Sequence, residues 1–249
     1  MTALDVLDEV IVAPRRAFPR LPGLQVIERP GWLQIVTPSM TTGGLNEVIY
    51  SLLDARGADA AIDAAIAMYR DLGLKFRWNA GPGSGPADLG ERLERRGLAP
   101  SWGRGMARST DDLGPVTVGD VVEVDAGTVQ HYSQVMAAGW NADGATLLSQ
   151  HRHMLANGRH CLFVGYCDGV PVAAAGYVPF ERSAFLMGAV VLTSHRGRGL
   201  YRTLVHARLA HARARGIPLA TSHARESTSA PILDKLGFDT VCRFPMYFG

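Results

Sequence analysis

The stretch Met187–Arg215, MGAVVLTSHRGRGLYRTLVHARLAHARAR, reads as an apolar strand, a glycine turn crowded with arginine, and a helix. Ala189, Val190, Val191 and Leu192 form an unbroken apolar run, the pattern of a buried central strand. Gly197 and Gly199 end it with backbone N–H groups that no flanking Cβ shields. The next helix is predicted from Leu200, Leu204, Val205 and Leu209 at three- and four-residue steps, with Gly216 as its stop. Its N-terminal N–H groups and positive dipole end point into the turn, a geometry that binds phosphate. From Arg182 to Arg225 there is no Asp or Glu, while arginine stands at positions 182, 196, 198, 202, 208, 213, 215 and 225, so the stretch is expected to face an anion. Arg208, Arg213 and Arg215 also fit a solvated helix face.

Downstream, Ile217–Ala224 is predicted as a strand, Ala230–Leu236 as a short helix stopped by Gly237 and Phe238, and the C-terminus as a final strand. A strand, Arg196-Gly197-Arg198-Gly199-Leu200, a helix and then Lys235-Leu236-Gly237-Phe238 resemble, in that order, the pyrophosphate loop and closing helix of the GNAT superfamily of N-acetyltransferases. Tyr201 stands where that family places a small residue. The resemblance implies an α/β class, an α+β GNAT fold with mixed sheets flanked by helices. It also implies acetyl-CoA as acyl donor, held by Val190, Val191, Leu192, Arg196, Gly197, Arg198, Gly199, Leu200 and Tyr201, with Ser227 and Ser229 on the pantetheine.

The 249 residues, 47% apolar with a net charge of +2, are enough for one large or two small domains. Cys161, Cys167 and Cys242 show neither disulfide nor metal spacing, His151, His153 and His160 lack the i, i+4 step of a helix-face metal pair, and no metal is expected. Asp5, Asp8 and Glu9 interrupt the early apolar stretch, so no export or membrane segment is expected and the protein is read as cytoplasmic.

Thr2–Val12 is predicted as an amphipathic helix capped by Thr2, and Pro14, Pro19 and Pro22 as an extended lead-in. Strands are expected over Leu24–Ile27, Trp32–Thr37, Leu74–Asn79 and Trp102–Ala107, and helices over Leu45–Leu53, Asp59–Leu72 and Ala87–Arg96. The order helix, strand, helix, Gly-Leu, strand over residues 59–108 repeats that over 200–248, which implies a duplication. Two tandem GNAT-like domains are expected, a degenerate one at 1–112 and one bearing the RGRG loop at 113–249, with Asp111–Pro115 as linker. The first lacks a basic turn, since Gly57, Ala58, Asp59 and Ala60 put an acid where an anion would sit. The second opens with Thr117–Asp125 and helices over Thr128–Ala138 and Ala145–Ala156. Strands at His160–Cys167 and Val170–Val178 then join through the Asp168-Gly169 turn.

The chemistry is less defined. Acyl transfer to an amine needs a neutral amine, an oxyanion donor and a proton for the leaving thiolate. The resembled family's tyrosine acid falls at Leu233 and its CoA-contacting asparagine at Glu226. The candidates left are Glu181 as base, His223 near the expected thioester, and Tyr247 or Cys242 as acid; Trp140, Asn141 and Asp143 are candidate acceptor contacts. The function implied is N-acyl transfer, most simply of acetyl from acetyl-CoA, to a small-molecule primary amine. Alternatives are an aminoacyl-tRNA donor meeting the basic stretch, and a CoA-binding sensor or pseudoenzyme; a homodimer is left open.

Overall fold

A computed structural model describes residues 2–17, 21–41, 45–111 and 120–249. In chain order these form α1 (Ala3–Ile11), β1 (Gln25–Arg29), β2 (Trp32–Val36), β3 (Glu47–Ser51), α2 (Ala58–Asp71), β4 (Arg77–Asn79), α3 (Leu89–Glu94) and β5 (Ala99–Ser109). The second half contributes β6 (Val121–Glu123), α4 (Val129–Trp140), α5 (Gly144–Asn157), β7 (Cys161–Cys167), β8 (Val170–Pro179) and β9 (Ser183–Val191). It ends with α6 (Leu200–Ala214), β10 (Leu219–Arg225), α7 (Ala230–Lys235) and β11 (Asp239–Phe248). Pro19 and most of the expected linker, with the start of the segment opening at Thr117, lie outside the described residues.

The eleven strands of the described residues join one mixed sheet in the order β1-β2-β3-β4-β11-β5-β10-β9-β8-β7-β6. The repeat seen in the sequence is visible as α2-β4-α3-β5 and α6-β10-α7-β11, but the closing strands are exchanged. β5 pairs with β10, β11 pairs with β4, and the two run antiparallel to each other over most of their length. Each half therefore finishes its neighbour's sheet.

Side chains alternate between the two faces of this sheet. On one face, α6 and α7 cover Ala184, Leu186, Ala220 and Ala224, while α2 and α3 cover Trp32, Val48, Trp78 and Tyr247. On the other, α4 and α5 cover Leu162, Val164, Ala174 and Val190, and α1 lies on the central strands with Val10 against Ala107 and Leu219. Helix α1 is held by a capping box between Thr2 and Asp5 and by buried Glu9, which accepts from Arg182 Nε at 2.9 Å and Ser183 Oγ at 2.5 Å.

Two sequence expectations are corrected. Residues 45–53, expected as a helix because Leu45, Val48, Ile49 and Leu52 fall at helical steps, contain strand β3 between β2 and β4. Pairing on both sides, and the bond from Trp78 Nε1 to Ser51 Oγ at 3.0 Å, override the helical period. Arg208 is no solvated helix residue. It is 1% exposed and donates to the Leu204 carbonyl at 3.0 Å and the Gly176 carbonyl at 3.1 Å.

Helix α4 approaches β9 so closely that a Cβ on Gly139 would overlap Val190 Cγ1. Gly139→Ala is therefore expected to destabilise the fold by about 1–3 kcal/mol through overpacking, read as a lower midpoint in urea denaturation.

Candidate active site

Strands β9 and β10 run parallel only over Ser183–Leu186 and Leu219–Ser222. Beyond that pair they separate. The cause lies on the other edge of β9, where Ala174 pairs with Val190 and Gly176 with Met187, so Gly188 and Ala189 together oppose Ala175. This bulge places Gly188 at φ 57°, a conformation suited to glycine, and bends β9 away from β10. The apolar run expected to be a buried central strand is thus only partly covered, with Val190 buried, Val191 half-buried and Ala189 exposed.

At the end of the opening the chain makes a short 3-10 turn at Thr193–His195 and enters the glycine loop. Gly197 and Gly199 have φ of 76° and 79°, and nothing lies within 4 Å of the position a Cβ would take on either. Arg196, Gly197, Arg198 and Gly199 are exposed. Gly199 caps α6 without a side-chain acceptor, and the first turn of that helix contains no acid. Its leading N–H groups are therefore directed at open space, where an anion is favoured. Arg196 Nε donates to the Val191 carbonyl at 3.2 Å, so its side chain lies along the opened strand, while Arg198 reaches toward Cys167 Sγ at 3.8 Å. Leu200 and Tyr201 turn inward and pack against the core beneath α6, and burial raises the Tyr201 phenol pKa.

Among the described residues of the first half there is no such loop. Asp59 in the first turn of α2 is bound by Arg92 at 2.5 Å and Arg96 at 2.8 Å, both from α3 or its C-terminal end.

His223 is the first residue of β10 past the last pair with β9. It faces the α1 side, its Nε2 lies 2.7 Å from the Val10 carbonyl, and its ring contacts Phe185 and Phe244 edge-on at 5.1 Å each. A carbonyl only accepts, so Nε2 carries the proton and Nδ1 is the free base site. The packed neighbours on its α1 side desolvate the ring and lower its pKa from the ordinary imidazole value, although the residue keeps an exposed edge.

The other sequence candidates are dispersed. Glu181 is exposed in the β8–β9 turn, six strand residues or about 20 Å from Met187, too far to act at the opening without a large movement. Tyr247 is 5% exposed and belongs to the core under α2 and α3, two strands away from β10. Cys242 packs near Val10 beside Gly105, and burial raises its thiol pKa. Leu233 is core at 1% exposure. Glu226 is fixed by Arg104, with Nε to Oε2 at 2.7 Å, and by Arg243 at 3.7 Å, which lowers its carboxyl pKa. Ser229 Oγ accepts from the Arg225 N–H at 2.9 Å, and Ser227 is exposed in the same turn.

On the α4 and α5 side a cavity of about 40 Å³ abuts the bulge, lined among others by Trp140, Met187, Gly188, Gln150, His151 and His160. Trp140 ring atoms lie 3.8 Å from the Cβ position of Gly188. Asn141 ends α4 in a left-handed C-cap, and Asp143 caps α5 by accepting from the Thr146 N–H at 2.7 Å. His151 Nδ1 is 2.9 Å from Ser133 Oγ. His160 lies near the Ala17 backbone, yet neither ring nitrogen meets hydrogen-bond geometry, and Gln150 Nε2 is likewise unpaired among the described residues. This polar lining was not read from the sequence, because Gln150, His151 and His160 are divided between α5 and the residue preceding β7 and their spacing matches no motif.

Residues 128–238 match the Acetyltransferase (GNAT) family. That match lies wholly within the second half of the chain. No curated protein matches it. Among solved structures, a GCN5-related N-acetyltransferase from Kribbella flavida aligns at 15% identity over 99% of this chain and 95% of that one, with a TM-score of 0.64. A tandem GNAT protein from the clavulanic acid biosynthesis pathway aligns at 13% identity over 99% and 94%, with a TM-score of 0.58. A functionally unknown protein from Staphylococcus epidermidis aligns at 13% over 92% and 94%, with a TM-score of 0.65. At these identities the likeness is one of fold, and it extends over both halves of the chain. No described helix is long and apolar enough to cross a membrane.

Burial holds His151 and His160 at pKa values of about 4. Their unfolded value is near 6.5, so the unfolded chain takes up protons first as pH falls. Stability is full above about pH 6.5 and is lost between there and about pH 4, by on the order of 2 kcal/mol per imidazole at pH 5. Urea denaturation across this range is expected to show the loss, and His160→Gln to flatten it.

Proposed function

We propose that the second half of the chain binds an acyl-CoA, most simply acetyl-CoA, and transfers its acyl group to the primary amine of a small molecule. The observation that carries this is the unpaired stretch of β9 beyond Leu186, which ends in an open glycine loop at the acid-free N-terminus of α6. In this reading the pyrophosphate lies on the Gly197–Tyr201 backbone with Arg196 and Arg198 beside it. The pantetheine lies in the gap between β9 and β10 and bonds to strand groups of Ala189–Val191, after Arg196 releases the Val191 carbonyl. The thioester then falls near Met187 and His223.

The acceptor enters from the α4 and α5 side, past Trp140. His223 Nδ1 takes the ammonium proton, directly or through water, and the neutral amine adds to the thioester carbonyl. The tetrahedral oxyanion is held by backbone N–H groups of the bulge, the adduct nitrogen gives its extra proton to water, and collapse to the amide expels the CoA thiolate. No tyrosine acid stands at the position of Leu233, so the thiolate leaves unprotonated or takes its proton from the imidazolium. Glu226, committed to two arginines, contributes charge balance in the first reading of the site and no chemistry.

A CoA-binding sensor is the second reading, favoured by the core position of Leu233 and the locked Glu226. A tRNA donor is less well supported, since Arg208 is buried and Arg182 is paired with Glu9, which thins the basic face.

Calorimetric titration with acetyl-CoA is expected to show binding that Arg196→Ala, Arg198→Ala weakens. Thiol release with a panel of amines separates the enzyme from the sensor, which binds without release. His223→Gln is expected to keep donor binding and lower turnover by about 100-fold or more. Absence of any acetyl-CoA binding by the folded protein would remove the reading.

A further inference from the structure

On the α6 side of the sheet, at the end of α6 away from the glycine loop, Glu123 of β6, Cys161 at the start of β7 and His211 in the last turn of α6 converge. One donor atom from each lies within 4.8 Å of the others, and His211 Nε2 is 3.3 Å from Glu123 Oε2. Two nitrogen or oxygen ligands at ~2.0 Å on a tetrahedral centre stand about 3.3 Å apart, so this pair already has the required spacing. The set is one thiol, one imidazole and one carboxylate, the donor types that zinc takes.

The second layer of contacts orients these donors. His211 Nδ1 is 2.8 Å from the Tyr177 hydroxyl. With Nδ1 donating to the Tyr177 oxygen, Nε2 presents a lone pair toward the Glu123 carboxylate. Two lone pairs facing each other need a cation between them, supplied by a proton on the ring or by a metal. A metal-bound histidine ordinarily donates its other N–H to such an oxygen. Burial raises the Cys161 thiol pKa, and Arg215 NH1, 3.6 Å from its Sγ, offsets part of that rise. Cys161 is buried, whereas Glu123 is exposed at the edge strand, which gives an ion a path of entry. An ordinary ion pair would account for Glu123 and His211 alone and does not call for a thiol at the same vertex.

We propose that Glu123, Cys161 and His211 form a site for a divalent zinc-like cation, with a water completing four ligands. Binding forms bonds from the metal to one Glu123 oxygen, Cys161 Sγ and His211 Nε2, and the thiol proton leaves to solvent. Carboxylate and thiolate together balance the ion's charge. The ion ties the C-terminal end of α6 to β6 and β7, a structural position remote from the acyl-donor opening. This site is independent of the proposed acyl transfer and stands or fails apart from it.

The test uses the full chain stripped with chelator, then titrated with Zn2+ and, for spectroscopy, with Co2+. Co2+ is expected to give a thiolate-to-metal band in the near ultraviolet that Cys161→Ser abolishes. Zn2+ is expected to raise the thermal midpoint where Mg2+ does not. Glu123→Gln, at an exposed edge, is expected to weaken Zn2+ affinity by at least the roughly 10- to 100-fold seen when an outer contact of a metal ligand is removed. No Co2+ thiolate band, or a band unchanged in Cys161→Ser, would overturn the site. So would equal Zn2+ affinity in wild type and Glu123→Gln, a result that stands even where Cys161→Ser fails to fold.

Discussion

The separation of β9 from β10 after Leu186 and Ser222 is the constraint on which the rest of the second half depends. A sheet this wide ordinarily satisfies every interior strand on both sides, because an unpaired backbone group in the interior is costly. Here the bulge at Gly188 and Ala189 turns β9 outward, and the groups it frees face an opening reached by solvent. The close contact of Gly139 with Val190 fixes α4 over the same bulge, so the position of the strand and the shape of the adjoining cavity are set together. Helix α6 then begins where β9 ends, which puts a dipole end and two open glycines at one end of the gap and His223 at the other.

The exchange of β5 and β11 joins the two halves through backbone hydrogen bonds. The face of the second half that carries His223 is covered in part by α1, from the far N-terminus, through Val10 and Glu9. The first half thus contributes to the surroundings of the site, although its own helix terminus at Gly57 is closed by the ion pairs of Asp59. The first half therefore has a structural task beside the opening.

Much of this architecture was legible from local signals. The α6 helix, the glycine loop, the Asp168-Gly169 turn and the repeated helix-strand order rest on periodicity and turn chemistry that act within a few residues. The strand at Glu47–Ser51 was not legible, because its apolar residues happen to fall at helical steps and only pairing with β2 and β4 decides the matter. Arg208 was misread for a related reason: nothing in the helix pattern announces that its guanidinium is satisfied by a carbonyl of β8. Catalytic candidates chosen by position in the chain fared unevenly. His223 stands at the opening, whereas Glu181 and Tyr247 are carried away by the strand length and by the exchange of β11. The cluster of Glu123, Cys161 and His211 has no sequence signature, since its members are separated by 38 and 50 residues and meet only through strand pairing and the lie of α6.

Hydrogen–deuterium exchange with and without acetyl-CoA tests the central claim most directly, because it reports which backbone amides the donor covers. The account predicts slowed exchange confined to Gly188–Val191, the loop from Arg196 to Arg202 and the end of β10, with α2 and its preceding turn unchanged. Protection at Gly57–Ala61 instead, or no change along β9, would contradict it.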